Sequence, residues 1–353
     1  MVERVIEKFL ELVAIDSPSG HEESIRSFII KQLNQLTVPH IQDSFGNVFA
    51  KVNCDDVPPV TYACHIDTVS NAVGVKPVLD EQYIQTDGTT ALGADDKIAV
   101  ALALVLAQDK HRYGPFGLLF TVQEEVGLKG AKHLGPEILS QLNAVFVFDT
   151  GRPVGTVVVQ APWKLDVKIA FHGKAAHAGV APELGISAIS LASKAVSQMN
   201  LLRVDEMTTA NIGSMHGFGS TNVVCDMVHL HLEIRSLIRE RALTHLNHIK
   251  QCCQLACSEG GGSFSLEEDI SYDGYRVEAS DALVLFQQAC TACTIPFTEV
   301  SSGGGSDVNM LRANGIDAIL LGVGYEKAHS VEERIAKREI VKLVRVAVQL
   351  LKV

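Results

Sequence analysis

The feature that most constrains the fold is the alternation of short apolar segments with longer helical ones. Segments 60–64 (VTYAC), 117–122 (GLLFTV) and 143–149 (NAVFVFD) have the length and composition of buried strands. Segment 96–110 (DKIAVALALVLAQDK) has the length of an apolar helix. Because strands that alternate with helices usually form one sheet, the sequence predicts an α/β fold with a mostly parallel sheet and helices on both faces.

A second pattern interrupts the first. Segments 163–171 and 228–236 alternate apolar with polar residues, as strands with one buried face do. The order strand, helix, strand, strand, helix, strand predicts an antiparallel, ferredoxin-like α+β domain. We therefore expect a discontinuous α/β domain of residues 1–162 and 276–353, with an inserted domain of residues 163–275, which is an ordinary size for a domain.

Charge and composition exclude several classes of protein. The net charge is −11 and the isoelectric point about 5.6, which argues against partners such as nucleic acid or an anionic membrane surface. No segment has the apolar length of a membrane span, and the first residues do not resemble an export signal. We therefore expect a cytoplasmic protein whose eight cysteines are reduced, buried thiols and not zinc ligands.

Acidic and imidazole side chains stand where predicted strands of the α/β domain end or where its apolar helix begins. They are His65, Asp67, Asp95, Asp96, Glu124, Glu125, Asp149 and His329. Ligands of open α/β sheets gather at the carboxyl ends of strands, so we expect these distant residues to converge. Histidine and carboxylate donors without a thiolate suit Zn²⁺, Mn²⁺ or Co²⁺.

Each of these residues also has an ordinary structural explanation. Asp95 has the position of a helix cap, and Asp149 that of a turn residue before Gly151. His65 suits a hydrogen-bonded strand end, and an isolated Glu-Glu pair is usually solvated. Five such positions at one end of one sheet nevertheless favour a single metal site.

The same residues lie in motifs that resemble a known family. In chain order the motifs are HIDTV, GADDK, QEEVGLKGA, FDTG, GKAAHAGVAPELGISAI, TNVV, GGGSD and AHS. They are similar to the co-catalytic zinc metallopeptidases, which include peptidase T, acetylornithine deacetylase, succinyl-diaminopimelate desuccinylase and glutamate carboxypeptidases. The ordered set spans nearly the whole chain, and QEEVGLKGA and TDGTTALGADDK resemble the peptidase T branch most. The resemblance implies a catalytic α/β domain and an inserted lid through which the chain forms a homodimer.

The resemblance also implies cofactors and their ligands. It predicts two divalent metal ions per chain, Zn²⁺ in first place and Co²⁺ or Mn²⁺ as alternatives. Asp95 corresponds to a ligand that bridges both ions. His65 and Asp149 correspond to further ligands of one ion, and Glu125 and His329 to those of the other.

Further roles follow from the resemblance alone. Glu124 corresponds to the general base that acts on a water shared by the two ions, and Asp67 to the acid that orients a histidine ligand. In the lid, His177 corresponds to the residue that polarises the scissile carbonyl, in the same or the partner subunit. Asn222 and Arg235 correspond to substrate-binding positions, although a surface ion pair explains Arg235 equally well.

The resulting prediction is a dinuclear metallopeptidase that removes residues from short peptides, most simply an aminopeptidase acting on tripeptides. One alternative is an N-acyl amino-acid hydrolase (a deacetylase) or a carboxypeptidase on the same scaffold. Another is a tetrahedral aminopeptidase, whose insert lies nearer the N-terminus, but only 27 residues lie between Asp67 and Asp95. A binding protein that has lost catalysis is disfavoured because Glu124 is present.

Overall fold

A computed structural model describes residues 1–352 of the chain. Its α-helices, numbered in chain order, are α1 Val2–Val13, α2 Glu23–Gln35, α3 Ala94–Gln108, α4 Lys129–Lys132, α5 Pro136–Leu139, α6 Ala188–Gln198, α7 Arg239–Gly260, α8 Asp281–Ala292, α9 Asp307–Ala313 and α10 Lys337–Leu350. Its β-strands are β1 His40–Gln42, β2 Val48–Val52, β3 Val60–His65, β4 Pro77–Leu79, β5 Tyr83–Thr86, β6 Phe116–Thr121, β7 Ala144–Thr150, β8 Thr156–Ala161, β9 Trp163–His172, β10 Leu202–Arg203, β11 Thr208–Gly217, β12 Met227–Ser236, β13 Ser263–Tyr272, β14 Tyr275–Arg276, β15 Thr298–Ser301, β16 Asp317–Gly322, β17 Tyr325–Glu326 and β18 Arg334–Ala336.

The largest sheet of the described residues has nine strands in the order β1-β2-β6-β3-β7-β16-β8-β14, with β15 paired to β8. Strands β6, β3, β7 and β16 run parallel to one another, whereas β1 pairs antiparallel with β2, β2 with β6, and β8 with β16. This confirms the predicted α/β fold with a central, mostly parallel sheet.

The apolar sequence runs explain the centre of this sheet. Every residue of β3 and β6 is buried, as expected for strands covered on both faces. Helix α3 is buried from Ala94 to Ala107 and packs on β3, β7 and α1. A helix that is apolar on all sides is stable only inside a fold, so α3 belongs to the core.

The parallel strands bring their carboxyl ends to one edge. Strand β3 ends at His65, which is in register with Thr121 at the end of β6. Strands β7 and β16 end at Thr150 and Gly322, which are likewise paired. Polar residues that follow these strands therefore emerge side by side.

A small antiparallel sheet, β17-β18-β5-β4, was not predicted. Its strands have two to four residues, too few to produce a recognisable apolar pattern. In it Ile335 of β18 pairs with Ile84 of β5. The sheet thus joins the segment that leads to Asp95 with the segment that follows His329.

The chain divides into two compact units. The first comprises Met1–Val159, Arg276–Ser301 and the residues from Ser306 onward, and the second comprises Gln160–Tyr275 and Ser302–Gly305. The predicted boundaries did not assign Ser302–Gly305 to the inserted domain.

The second unit contains an antiparallel sheet in the order β10-β11-β12-β9-β13, with α6 and α7 packed on it. Its chain order gives the predicted ferredoxin-like α+β arrangement. One face of the sheet is apolar because alternate residues point inward, as Leu165, Val167, Ile169 and Phe171 do in β9. These residues form a separate core with the apolar sides of the two helices.

Two further predictions concern the cysteines and the membrane. All eight cysteines are free thiols and, apart from Cys54, all are buried. Among residues 1–352, no helix combines the length and the apolarity that a bilayer crossing requires.

Candidate metal centre

The centre of the site is Asp95, whose two carboxylate oxygens face two different histidines. Oδ1 lies 3.1 Å from Nε2 of His65, and Oδ2 lies 3.1 Å from Nε2 of His329. These histidines are more than 260 residues apart in sequence and are brought together by the edge where β3 and β16 end. The interpretation of Asp95 as a helix cap is wrong, because α3 has no side-chain cap and the carboxylate points to the imidazoles.

Two more carboxylates complete this arrangement. Asp149, near the end of β7, places Oδ1 3.5 Å from His65 Nε2. Glu125 places Oε1 2.8 Å from His329 Nε2, but this oxygen has no hydrogen-bond partner of acceptable geometry. The structure therefore brings together all five residues predicted as metal ligands. His65 and Asp149 lie at one oxygen of Asp95, and His329 and Glu125 lie at the other.

These donors fit a divalent metal ion. Two ligand atoms that each lie about 2.1 Å from a tetrahedral ion are about 3.4 Å apart, close to the spacings found here. Nδ1 of His65 lies 3.0 Å from the backbone oxygen of Asp67, which leaves Nε2 for a metal, as is usual for histidine ligands. The buried Oε1 of Glu125 without a hydrogen bond also needs a cation as partner.

The pKa values of the candidate ligands show that negative charge is concentrated at this site. Burial, with nearby Asp95, raises the pKa of Asp149 to about 7. The hydrogen bond to Asp95 and the nearby carboxylate of Glu125 raise the pKa of His329 to about 10. Burial opposes protonation of His65, yet the charge of Asp149 raises its pKa well above the ordinary value. The carboxylates thus draw protons onto the histidines, and a divalent cation would replace those protons.

Asp67 has a wider role than the orientation of His65. Besides the backbone contact, its Oδ1 lies 3.4 Å from His65 Nδ1. Its carboxylate also accepts the backbone N–H groups of Glu124 at 2.9 Å and Glu125 at 3.2 Å, and the hydroxyl of Ser19 at 2.7 Å. Asp67 therefore fixes the turn that carries both glutamates.

Glu124 follows strand β6, and among the described residues it belongs to no cluster of side chains that could hold a metal ion. Burial raises the pKa of its carboxyl well above the ordinary value, and the charges of Asp149 and Asp307 add to this effect. A carboxyl with a raised pKa accepts a proton more readily than an ordinary glutamate. The location of Glu124 therefore suits proton transfer.

Sequence reasoning gave no role to several buried groups near the site. Both carboxylate oxygens of Asp96 lack a hydrogen-bond partner. Ligand atoms of Asp96, His65 and Asp149 lie close enough together to hold a metal ion, as do those of Asp95, His65 and Glu125. Asp307 accepts a hydrogen bond of 2.5 Å from Thr121, and burial raises its pKa to about 6. Both aspartates stand in motifs singled out from the sequence, GADDK and GGGSD, so the signal was present but not used.

The residues predicted in the inserted domain lie within the second unit. His177 pairs with Val223 in an isolated β-bridge, and the backbone N–H of Ala178 donates to Asn222 O at 2.9 Å, so His177 and Asn222 are neighbours. Both side chains are exposed. Arg235 makes a two-pronged ion pair with Glu233, with distances of 2.8 and 3.1 Å. That pairing competes with the predicted binding of a substrate carboxylate by Arg235.

A buried cluster of histidines and carboxylates beside a free glutamate, at the carboxyl edge of a parallel sheet, is typical of metal-dependent hydrolases. The comparison with known families agrees with this class. Residues 61–353 match the description of peptidase family M20/M25/M40. The chain belongs to this family, is a metallopeptidase and is a peptidase T-like member.

Similar proteins cover essentially the whole chain. A tripeptidase from Staphylococcus aureus is 35% identical, with a TM-score of 0.92 and coverage of 100% of this chain and 98% of that chain. Aminopeptidase PepT from Bacillus cereus is also 35% identical, with a TM-score of 0.87 and the same coverage. Peptidase T of Listeria innocua is 24% identical over 405 residues, which cover 99% of this chain and 98% of the relative.

Proposed function

We propose that this chain is an aminopeptidase that cleaves short peptides, tripeptides included, with two divalent metal ions held by His65, Asp95, Glu125, Asp149 and His329. The observation that carries this proposal is the position of Asp95, whose two oxygens each face a different imidazole at 3.1 Å. A carboxylate in that position has one oxygen for each of two ions. We propose Zn²⁺ as the first candidate, with Co²⁺ or Mn²⁺ as alternatives, because the donors are nitrogen and oxygen only.

When bound, the ions supply an acidified water and polarise the scissile carbonyl. Glu124 would accept a proton from the attacking water and donate it to the leaving amine. Its buried surroundings raise the pKa of its carboxyl, so it can hold the proton between the two steps. Asp67 contributes by fixing the backbone of Glu124 with a hydrogen bond of 2.9 Å.

For the second unit we propose the roles that the resemblance implies. His177 and its neighbour Asn222, a substrate-binding residue, would donate hydrogen bonds to the carbonyl oxygen as negative charge develops there. The unit would also form the homodimer, with His177 acting in its own or in the partner's site. Arg235 is the weakest candidate, because Glu233 already occupies its guanidinium.

The direction of cleavage rests on charge and on the relatives. The cluster of carboxylates favours a substrate that presents a positive α-amino group, because opposite charges attract strongly in a partly buried site. The relatives described as a tripeptidase and as an aminopeptidase support the same direction. Arg235 is already bonded to Glu233. This counts against a carboxypeptidase that would use Arg235 to bind the C-terminal carboxylate of its substrate.

We expect N-acetylation of a tripeptide to block its cleavage, whereas C-terminal amidation is tolerated better. Acetylation removes the positive charge that the carboxylates attract, while amidation changes only the far end of the substrate. Mass spectrometry of the products of the metal-loaded enzyme should show the N-terminal residue of the free tripeptide appearing first.

The alternative activities give a different outcome in that assay. Cleavage of the acetylated peptide with early release of the C-terminal residue would identify a carboxypeptidase. Hydrolysis of N-acyl amino acids in preference to free peptides would identify an acyl hydrolase. Either result would contradict the proposed direction and would make Arg235 the leading candidate for contact with the substrate carboxylate.

A further inference from the structure

The carboxylate of Glu333 is buried, and the hydrogen bonds that it accepts come from backbone N–H groups beside Asp95. Only 1% of the surface of Glu333 is exposed. Oε2 accepts the backbone N–H of Leu92 at 2.8 Å and of Gly93 at 3.0 Å, and Oε1 accepts that of Asp95 at 3.1 Å. One carboxylate therefore accepts three backbone N–H groups of the segment that presents Asp95.

The backbone of this segment is irregular where it enters α3. Gly93 has a left-handed φ of 73°, and Asp95 and Asp96 have non-helical backbone angles within the first turn of α3. The helix has no side-chain cap of its own, so its first N–H groups need acceptors from elsewhere. Glu333 supplies one for the N–H of Asp95, and its negative charge suits the positive end of the helix.

Glu333 stands four residues after His329 in the loop between β17 and β18. This loop therefore carries one histidine that faces Asp95 and also the carboxylate that fixes the backbone of Asp95. The loop is tied to the same region a second time by Asn71, whose Nδ2 donates to the backbone oxygen of His329 at 3.0 Å and whose backbone oxygen accepts the N–H of Ala91 at 3.1 Å.

His329 itself has an unusual backbone conformation, with φ at 66°. A residue other than glycine keeps such a conformation only where its surroundings enforce it. The loop is enclosed by the pairing of β18 with β5, by the contact with Asn71 and by the hydrogen bonds of Glu333. Together these contacts fix how far the His329 imidazole lies from the Asp95 carboxylate.

We infer that Glu333 is a positioning residue that sets the geometry of the metal centre without touching the metal. It fixes the backbone of the bridging ligand and, through its own loop, the place of His329. The inference rests on the proposed function, since it takes Asp95 and His329 to be metal ligands.

The test compares Glu333→Gln with Glu332→Gln. A glutamine at 333 keeps the volume but turns an amide NH₂ toward backbone N–H groups, so at least one hydrogen bond is lost. Glu332 is the matched control, because it is the adjacent glutamate, its side chain is 68% exposed and it pairs only with Lys327, at 2.9 Å. Zinc affinity would be measured on the full chain by competition with a chromogenic chelator, and melting temperatures with and without zinc.

We expect zinc affinity to fall by about 10–100-fold in Glu333→Gln, the usual cost of losing a residue that orients a metal ligand, and to be unchanged in Glu332→Gln. The rise in melting temperature on zinc addition should shrink in Glu333→Gln by the corresponding amount. A lower melting temperature of the metal-free protein with an unchanged zinc-induced rise would show a merely structural role and would overturn the inference.

Other outcomes separate this inference from the proposed function. Failure of the parent chain to bind zinc, Co²⁺ or Mn²⁺ would overturn the proposed function itself. Binding by the parent and equally tight binding by Glu333→Gln would overturn only the role of Glu333. If Glu333→Gln does not fold, Glu333→Asp replaces it, since aspartate keeps the charge but is one methylene shorter; unchanged affinity in that variant would equally contradict the inference.

Discussion

Replacement of Glu124 by glutamine is expected to lower turnover by at least about 10²–10⁴-fold, the usual contribution of a general base. The amide cannot accept a proton, although it has nearly the shape of the carboxylate. Metal content should stay near two ions per chain, because Glu124 belongs to neither group of metal-ligand atoms. Steady-state kinetics on a tripeptide and metal analysis of the same sample measure both effects.

The adjacent glutamate provides the matched comparison. Glu125 places a carboxylate oxygen 2.8 Å from His329, so Glu125→Ala should lower metal occupancy as well as activity. The backbone of both residues is held by Asp67, which means that the two variants disturb the same turn. Equal loss of metal in both variants would mean that the roles of the two glutamates are exchanged or misassigned.

Removal of the metal ions is expected to abolish activity and to lower stability. Chelation followed by dialysis should leave no measurable turnover, and addition of Zn²⁺, Co²⁺ or Mn²⁺ should restore it. Metal that binds only the folded chain stabilises it by about 2.7 kcal/mol when its free concentration is 100 times the dissociation constant. Thermal unfolding at several metal concentrations measures this gain, which should shift the melting temperature upward.

The variant Asp95→Asn is expected to lose the metal site while the protein still folds. Asparagine keeps the size of the side chain but replaces one of its two metal-facing oxygens by an NH₂ group, which cannot bind a metal. The variant should therefore fold, yet recover little activity when metal is added back.

For the parent chain, full activity after exhaustive chelation, with the empty site verified by metal analysis, would contradict the mechanism.

Much of the fold was predictable because the apolar runs are long enough to show their period. Helix α3 and strands β3, β6 and β7 were placed to within a few residues. The small sheet of β4, β5, β17 and β18 was missed, since strands of two to four residues are defined by their partners and not by their own composition.

The candidate site was predictable to a smaller degree. The structure brings His65, Asp95, Glu125, Asp149 and His329 together, whereas their roles as metal ligands stay predictions. The contact of Asp67 with His65 was predicted. The hydrogen bonds that Asp67 and Glu333 accept from backbone N–H groups were not. Any loop offers such donors, so no residue pattern in the sequence identifies which acid will accept them.

The position of the metal ions tests the central claim most directly. Crystals of the metal-loaded protein would be measured at the absorption edge of zinc, where anomalous scattering locates zinc ions independently of the protein. Our account predicts two peaks about 3.5–4 Å apart, the usual spacing of two-metal sites, with Asp95 between them. His65 and Asp149 should contact one peak, and Glu125 and His329 the other. A single peak, or peaks away from Asp95, would contradict the proposed metal centre.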